Sequence, residues 1–283
     1  MTAVTRPVRR KKPFPWKEAL RILVLTLISL LMIFPIFWMV SGSLKAPHEV
    51  MNKDVFWPAK PYWENYAIAW KSAPFGQYFK NSILMATTVV ICQVLTGSLA
   101  GYAFAKLPFK LSKPIFFLFL CSMMIPSEAT IVSNFLTLAA LRLTNTFFSV
   151  IVISLVSMFS VFLFRQFYKT IDNALLEAAY IDGAGDLRVY WSIILPLSKS
   201  AIATVAIIGF IGNWNSYMWP KVVATKESLR TVQTGLRMLM QSDFGDDWGS
   251  IMAAATLITM PMILFFVCLQ RYFVQGITKV GLK

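Results

Sequence analysis

Five stretches of this sequence contain no charged residue and are long enough to cross a bilayer: 22–40, 81–105, 143–164, 200–220 and 248–270. A sixth, 114–141, is interrupted only by Glu128. About 20 apolar residues in a helix cross ~30 Å of hydrocarbon. Lipid offers no water to pair backbone N–H and C=O groups, so a spanning segment is either a helix or part of a closed barrel. A barrel needs alternating segments of about ten residues, and these runs do not alternate. The expected fold class is therefore an all-α integral membrane protein with six transmembrane helices. Pro35, Pro126 and Pro261 fall inside the runs, which lipid-embedded helices tolerate because neighbouring helices or water satisfy the freed carbonyl.

The composition agrees: 57% of residues are apolar and 14% charged, against roughly 45–50% and 25% in soluble domains. The formal net charge is +14, which by itself fits nucleic acid or anionic lipid equally well. Position decides, because the cations flank the apolar runs; a lipid bilayer is expected as partner, and nucleic acid is not. With the N-terminus placed in the cytoplasm, seventeen Lys and Arg fall inside and ten outside, so both termini are expected to be cytoplasmic. Arg6, Arg9, Arg10, Lys11, Lys12 and Lys17 make 1–18 a basic cytoplasmic segment beside anionic lipid. It is not read as an export signal, because run 22–40 is too long for a signal core and no small-residue cleavage site follows. Residues 19–283 form the transmembrane domain.

Chemistry-bearing clusters are missing from the sequence. Cys92, Cys121 and Cys268 lie singly within apolar runs and His48 stands alone in a polar loop, so neither a metal site nor a catalytic triad is expected. The outer loop 42–80 is aromatic, with Trp57, Trp63, Tyr66 and Trp70, and is expected to form short interfacial helices. The inner loop 165–199 balances four cations against Asp172, Glu177, Asp182 and Asp186, which suits a structured docking surface better than a plain topological loop. Within it, 175–181 reads as a short helix, and Asp182-Gly183 as a turn that uses glycine's access to positive φ. A second helix is expected to carry Leu187, Tyr190, Trp191 and Ile194 on one face. Leu195-Pro196 then marks a bend.

The run Glu177-Ala178-Ala179-Tyr180-Ile181-Asp182-Gly183-Ala184-Gly185, with Ile193, Leu195 and Pro196 after it, resembles the EAA loop of ABC importer permeases. The likeness extends over nearly the whole chain, to the carbohydrate-type group that holds the second permease subunit of maltose-, raffinose- and glycerol-3-phosphate-like importers. It is carried by 34–38, 43–45, 63–66, 78–82, 162–167, 214–217 and 270–278. That group has a proline before the EAA helix; here Asp172-Asn173 stand instead, which is expected to leave the helix start less sharply defined. The resemblance implies a type I importer permease fold. It also implies a second homologous permease subunit, two ATPase subunits that bind ATP and Mg, and an extracytoplasmic solute-binding protein, all in the bacterial inner membrane or against it. Glu177, Ala178, Ala179, Asp182, Gly183 and Ala184 would take the force from the ATPase. The chain lacks a GxxxxGK[ST] phosphate loop, so it is not an enzyme and ATP belongs to another polypeptide.

Pathway candidates are Glu128, Asn213, Asn215 and Tyr217. Glu128 is either an intramembrane functional carboxylate or, as preferred, lies in a wet vestibule because Pro126 breaks the helix. Trp214, Asn215, Tyr217 and Trp219 are read as an interfacial aromatic belt rather than as a sugar-stacking gate. Gly97, Ser98 and Gly101, and Ser154, Ser157 and Ser160, read as helix-packing stripes of small residues. The spans carry no interior cation, which favours a neutral sugar or oligosaccharide over a phosphorylated polyol such as glycerol-3-phosphate. An ion-coupled secondary transporter and a membrane-bound enzyme are the rival readings.

Overall fold

The computed structural model describes residues 16–52, 54–241 and 247–280, with side chains up to Tyr272. Most of the basic segment 1–18, Lys53, and the tail side chains after Tyr272 (including Lys279 and Lys283) lie outside the described residues. The described chain contains helices and loops and no strand.

Three helices are long and apolar enough to cross a membrane unaided: α1 (Trp16–Ser43), α3 (Phe75–Lys106) and, across the loop end of the chain, α13 (Trp248–Val280). Between α1 and α3 lies α2 (Glu64–Lys71). The other apolar runs are not single rods. Run 114–141 divides into α4 (Ser112–Ser122) and α5 (Ser127–Ala140), bent by 98°, with the break just ahead of Pro126. Run 143–164 divides into α6 (Phe147–Ser154) and α7 (Met158–Lys169), bent by 42°. There the Ser157 side chain accepts from the Ser160 N–H at 3.3 Å and starts a new helix. Helix α10 (Lys199–Trp214) meets the helix ahead of it, α9 (Asp186–Leu197), at 76°. Run 200–220 is likewise cut short, because Tyr217 precedes a separate helix, α11 (Met218–Val223). Counting each bent pair as one span gives up to six spans.

Helix α3 is the axis of the bundle, packing on α7, on α10 and on the outer helix α12 (Val232–Leu239). The seam with α7 is closed at Gly97, Gly101 and Ser160, three of the six small residues whose spacing predicted packing. A Cβ added to Gly97 would come within 2.8 Å of Ser160 Cβ, and one added to Gly101 within 2.7 Å of Phe164 Cβ. Helix α13 packs on α10, α1 and α2, with Phe210 and Phe265 stacked at 4.1 Å. By contrast α1 is exposed along its apolar length and buried only at Ser41–Ser43.

That buried end is tied to the outer loop. Ser41 Oγ donates to Phe56 O, and Asn65 Nδ2 donates to Ser43 O and Lys45 O. Lys45, an outer cation in the sequence reading, is buried; its Nζ donates to Val55 O at 2.5 Å and lies 4.4 Å above the Trp38 ring. The expected interfacial helices reduce here to a one-turn helix at Pro47–Val50 and to α2, whose Asn65 and Ala69 are buried.

Candidate functional site

The loop between α7 and α10 is built from two short helices joined at a glycine elbow. The first, α8 (Asn173–Ile181), begins where Asp172 Oδ1 accepts from the Ala174 N–H at 3.0 Å. The departure from proline therefore does not blur the helix start, because aspartate caps the free N–H groups of the first turn. At the other end, Gly183 has φ +77°; its N–H bonds Tyr180 O at 3.0 Å, and the Ala184 N–H bonds Ala179 O at 2.9 Å. This is the paired C-terminal closure that selects glycine.

Within α8, Leu176 faces the core beside Tyr168, Tyr190 and Ile194. Glu177, Ala178, Asp182 and Gly183 are exposed, and Ala179 and Ala184 are half-buried. In α9 the expected single face splits in two. Tyr190 and Ile194 are fully buried together with Val189, while Leu187 is 69% exposed and Trp191 is also exposed. Residues 187 and 191 share one helical stripe; 190 and 194 share the next, and only the second reaches the core. Ile181 is 86% exposed and Leu175 half exposed, so with Leu187 and Trp191 four apolar side chains of the two loop helices lie at the surface, as does Glu177. A cavity of about 220 Å³ opens beside it, lined by Lys106, Asn173, Glu177 and Tyr180. Tyr180 donates to Asp186 Oδ1 at 2.8 Å across the elbow, and its hydroxyl lies 3.4 Å from that of Tyr102. Its bond to Tyr102, partial burial and the Asp186 carboxylate hold the Tyr180 phenol above the ordinary phenol range.

The four pathway candidates do not converge. Glu128 lies exposed in the first turn of α5, at the break, and accepts from Ser127 Oγ at 3.2 Å. Asn213 Nδ2 donates to Gly209 O at 2.8 Å, and the residue lines a cavity of about 240 Å³ with Gln93, Ser157, Ser160 and Phe159. Asn215 is exposed and accepts from Gln233 Nε2. Tyr217 lines a different cavity of about 340 Å³, with Lys221, Arg230, Thr225 and Gln241. Trp214 and Trp219 form neither a belt nor a gate: both are buried, donating to Ile258 O and Ser149 O. Gln93, Lys221 and Arg230 were not singled out from the sequence. The intramembrane polar rule would have found Gln93, which stands in a charge-free run.

The chain and its fold have relatives among known proteins. The chain is 33% identical over 256 residues to the sn-glycerol-3-phosphate transport system permease protein UgpE of Yersinia enterocolitica, covering 88% of this chain and 91% of that one. It is 29% identical over 278 residues to the arabinooligosaccharides transport system permease protein AraQ of Halalkalibacterium halodurans, covering 97% and 99%. The diacetylchitobiose uptake system permease protein NgcG of Streptomyces coelicolor is 29% identical over 259 residues, covering 90% and 86%. A chain of a bacterial ABC transporter that imports the acidic polysaccharide alginate shares the fold, with a TM-score of 0.80 at 22% identity over 93% of this chain and 100% of that one. Residues 93–279 match the binding-protein-dependent transport system inner membrane components, and the chain belongs to that family.

Proposed function

We propose that this chain is one of two permease subunits of an ATP-driven importer for a sugar or oligosaccharide. A second, homologous permease completes the pathway. Two ATPase subunits bind ATP and Mg²⁺ and grip the loops beneath it, and an extracytoplasmic solute-binding protein delivers the substrate. The observation that carries this reading is the exposure of Leu175, Ile181, Leu187 and Trp191 on the two loop helices, one of which also exposes Glu177. A loop on the polar side of a membrane protein has no lipid to cover such side chains, so they fit a protein partner. Glu177, with Ala178, Ala179, Asp182 and Ala184 around it, offers a carboxylate and close approach to that partner, and Gly183 sets the angle between the two helices. Affinity purification of the tagged chain from native membranes should recover an ATPase and a second permease, and Glu177→Lys should release the ATPase. Recovery of the chain alone would overturn the reading.

The cavity at Asn213 supports a neutral substrate. Gln93, Ser157, Ser160 and Asn213 supply donors and acceptors without charge, and Phe159 an apolar face, the mixture that holds a hydroxylated ring. Glycerol-3-phosphate is the second reading, favoured by Lys221 and Arg230 in the outer cavity and by the sn-glycerol-3-phosphate relatives. Uptake of a labelled neutral oligosaccharide should be insensitive to Lys221→Gln. Selective loss of glycerol-3-phosphate uptake in that variant would establish the second reading.

A further inference from the structure

Two buried amides on different helices open onto one cavity. Gln93 of α3 is 8% exposed and Asn213 of α10 is 9% exposed. Both line the cavity of about 240 Å³ that Ser157, Phe159 and Ser160 border at the start of α7. Each amide has its polarity fixed by a backbone carbonyl. Gln93 Nε2 donates to Ser154 O at 2.8 Å, pairing a carbonyl at the end of α6, where the helix supplies no partner. Asn213 Nδ2 donates to Gly209 O at 2.8 Å. A carbonyl cannot donate, so neither amide can turn round without losing its bond. Both therefore offer their side-chain oxygens as acceptors, and neither oxygen has a donor among the described residues.

Glycine makes the room. A Cβ on Gly209 would come within 2.7 Å of Gln93 Oε1, so only glycine lets that oxygen stand against α10. Three residues on, a Cβ on Gly212 meets nothing within 4 Å, and Gly212 lines the same cavity. The chemistry of this wall sorts ligands. Amide oxygens attract hydrogen-bond donors and repel other acceptors. A phosphate dianion brings acceptors only and calls for a cation, and no Lys or Arg lines this cavity among the described residues. A sugar hydroxyl brings a donor, and the hydroxyls of Ser157 and Ser160 can bond its oxygens in return. The cavity is smaller than the ~300 Å³ at which pockets for drug-sized ligands begin, a size for one ring rather than a chain of them.

We propose that Gln93 and Asn213 form a two-acceptor site within this chain for the hydroxyls of one sugar ring, and that Gln93 sets its preference for a neutral ligand over an anionic one. Phe159 supplies the apolar face against the ring. The inference deepens the reading that the chain carries a sugar, and rests on it.

The test uses the assembled complex with its solute-binding protein in proteoliposomes. The probes are labelled arabinobiose and diacetylchitobiose, with mono-O-methyl derivatives of the imported sugar as competitors. A methyl group removes one hydroxyl donor and leaves the ring and its oxygens in place. One derivative should compete poorly in the wild type, and Gln93→Met should shrink that discrimination about five- to tenfold, the worth of one hydrogen bond. The binding protein's own preference is common to both complexes and cancels. A residue that only packs α3, or a cavity that only holds water, leaves the discrimination at the wild-type level, and that outcome overturns the site. Gly212→Leu fills the space without a backbone collision at its Cβ. It should cut sugar import about tenfold or more while the unfolding midpoint holds or rises, because leucine favours helix over glycine. Wild-type import in that variant also overturns the site. If the wild-type complex imports neither disaccharide, the sugar reading itself fails, and the inference with it.

Discussion

Gly183 shows how one residue sets the angle between two short helices. A Cβ there meets nothing within 4 Å, so a substitution suffers no collision; φ +77° alone selects glycine. Gly183→Val should strain the elbow by about 1–2 kcal/mol and uncouple ATP hydrolysis from uptake, with membrane insertion intact. Gly183→Asn should retain most coupling, because asparagine enters this region more readily. Uptake per ATP hydrolysed in proteoliposomes checks both. Trp214 is the opposite case, a residue whose neighbours matter more than its backbone. Trp214→Phe removes the Nε1 bond to Ile258 O and should cost about 1–2 kcal/mol. That would appear as a lower unfolding midpoint with unchanged substrate affinity. Tyr180 gives a pH signature. Its folded phenol is raised, so its contribution is complete below the ordinary value of about 10 and declines as pH climbs through the raised folded value. Titration from pH 6 to 9 should leave the elbow unchanged. In a tyrosinate absorbance titration, Tyr180→Phe should remove one late-titrating phenol.

At the scale of elements, hydropathy located the apolar runs but not their breaks. Run 114–141 is apolar on both sides of Met123–Pro126, and only Ser127-Glu128 marks the 98° bend in its hydropathy. Pro126, which lacks an N–H, was the other local sign, and the break expected there is found. The faces of α9 were misread for a related reason: spacing groups apolar residues, yet which stripe meets the core depends on how α9 lies against α3 and α7. Helix starts were more legible than expected. Asp172→Ala should weaken the first turn of α8 by about 1 kcal/mol, speeding hydrogen exchange at Ala174–Leu176. The α3–α7 seam was legible in its small residues, and it should be intolerant of enlargement. A Cβ on Gly101 would lie 2.9 Å from the Arg165 backbone nitrogen, which cannot rotate aside. Gly101→Ala should therefore cost about 1–3 kcal/mol, measurable as reduced thermal stability of the purified complex.

For the whole molecule, the family identifies a multi-pass inner-membrane transport component rather than an enzyme. The exposed apolar length of α1 must be covered by lipid or by a partner. The excess of positive residues predicts that the 165–199 loop faces the cytoplasm; a Gly185→Cys variant should then react with a membrane-impermeant maleimide only after cells are permeabilised. Reaction in intact cells would put the loop beyond any ATPase. The sequence by itself determined that the chain lives in lipid as helices, and that one mixed-charge loop folds as two short helices joined at a glycine elbow. Both follow from local properties, since transfer into hydrocarbon is additive along a run and the elbow is written in adjacent residues. Tertiary structure decided that runs 143–164 and 200–220 also break, which stripe of α9 is buried, that Trp214 and Trp219 are core, and that Asn213 and Tyr217 line separate cavities. Those outcomes depend on distances between residues far apart in the chain, which no local pattern encodes.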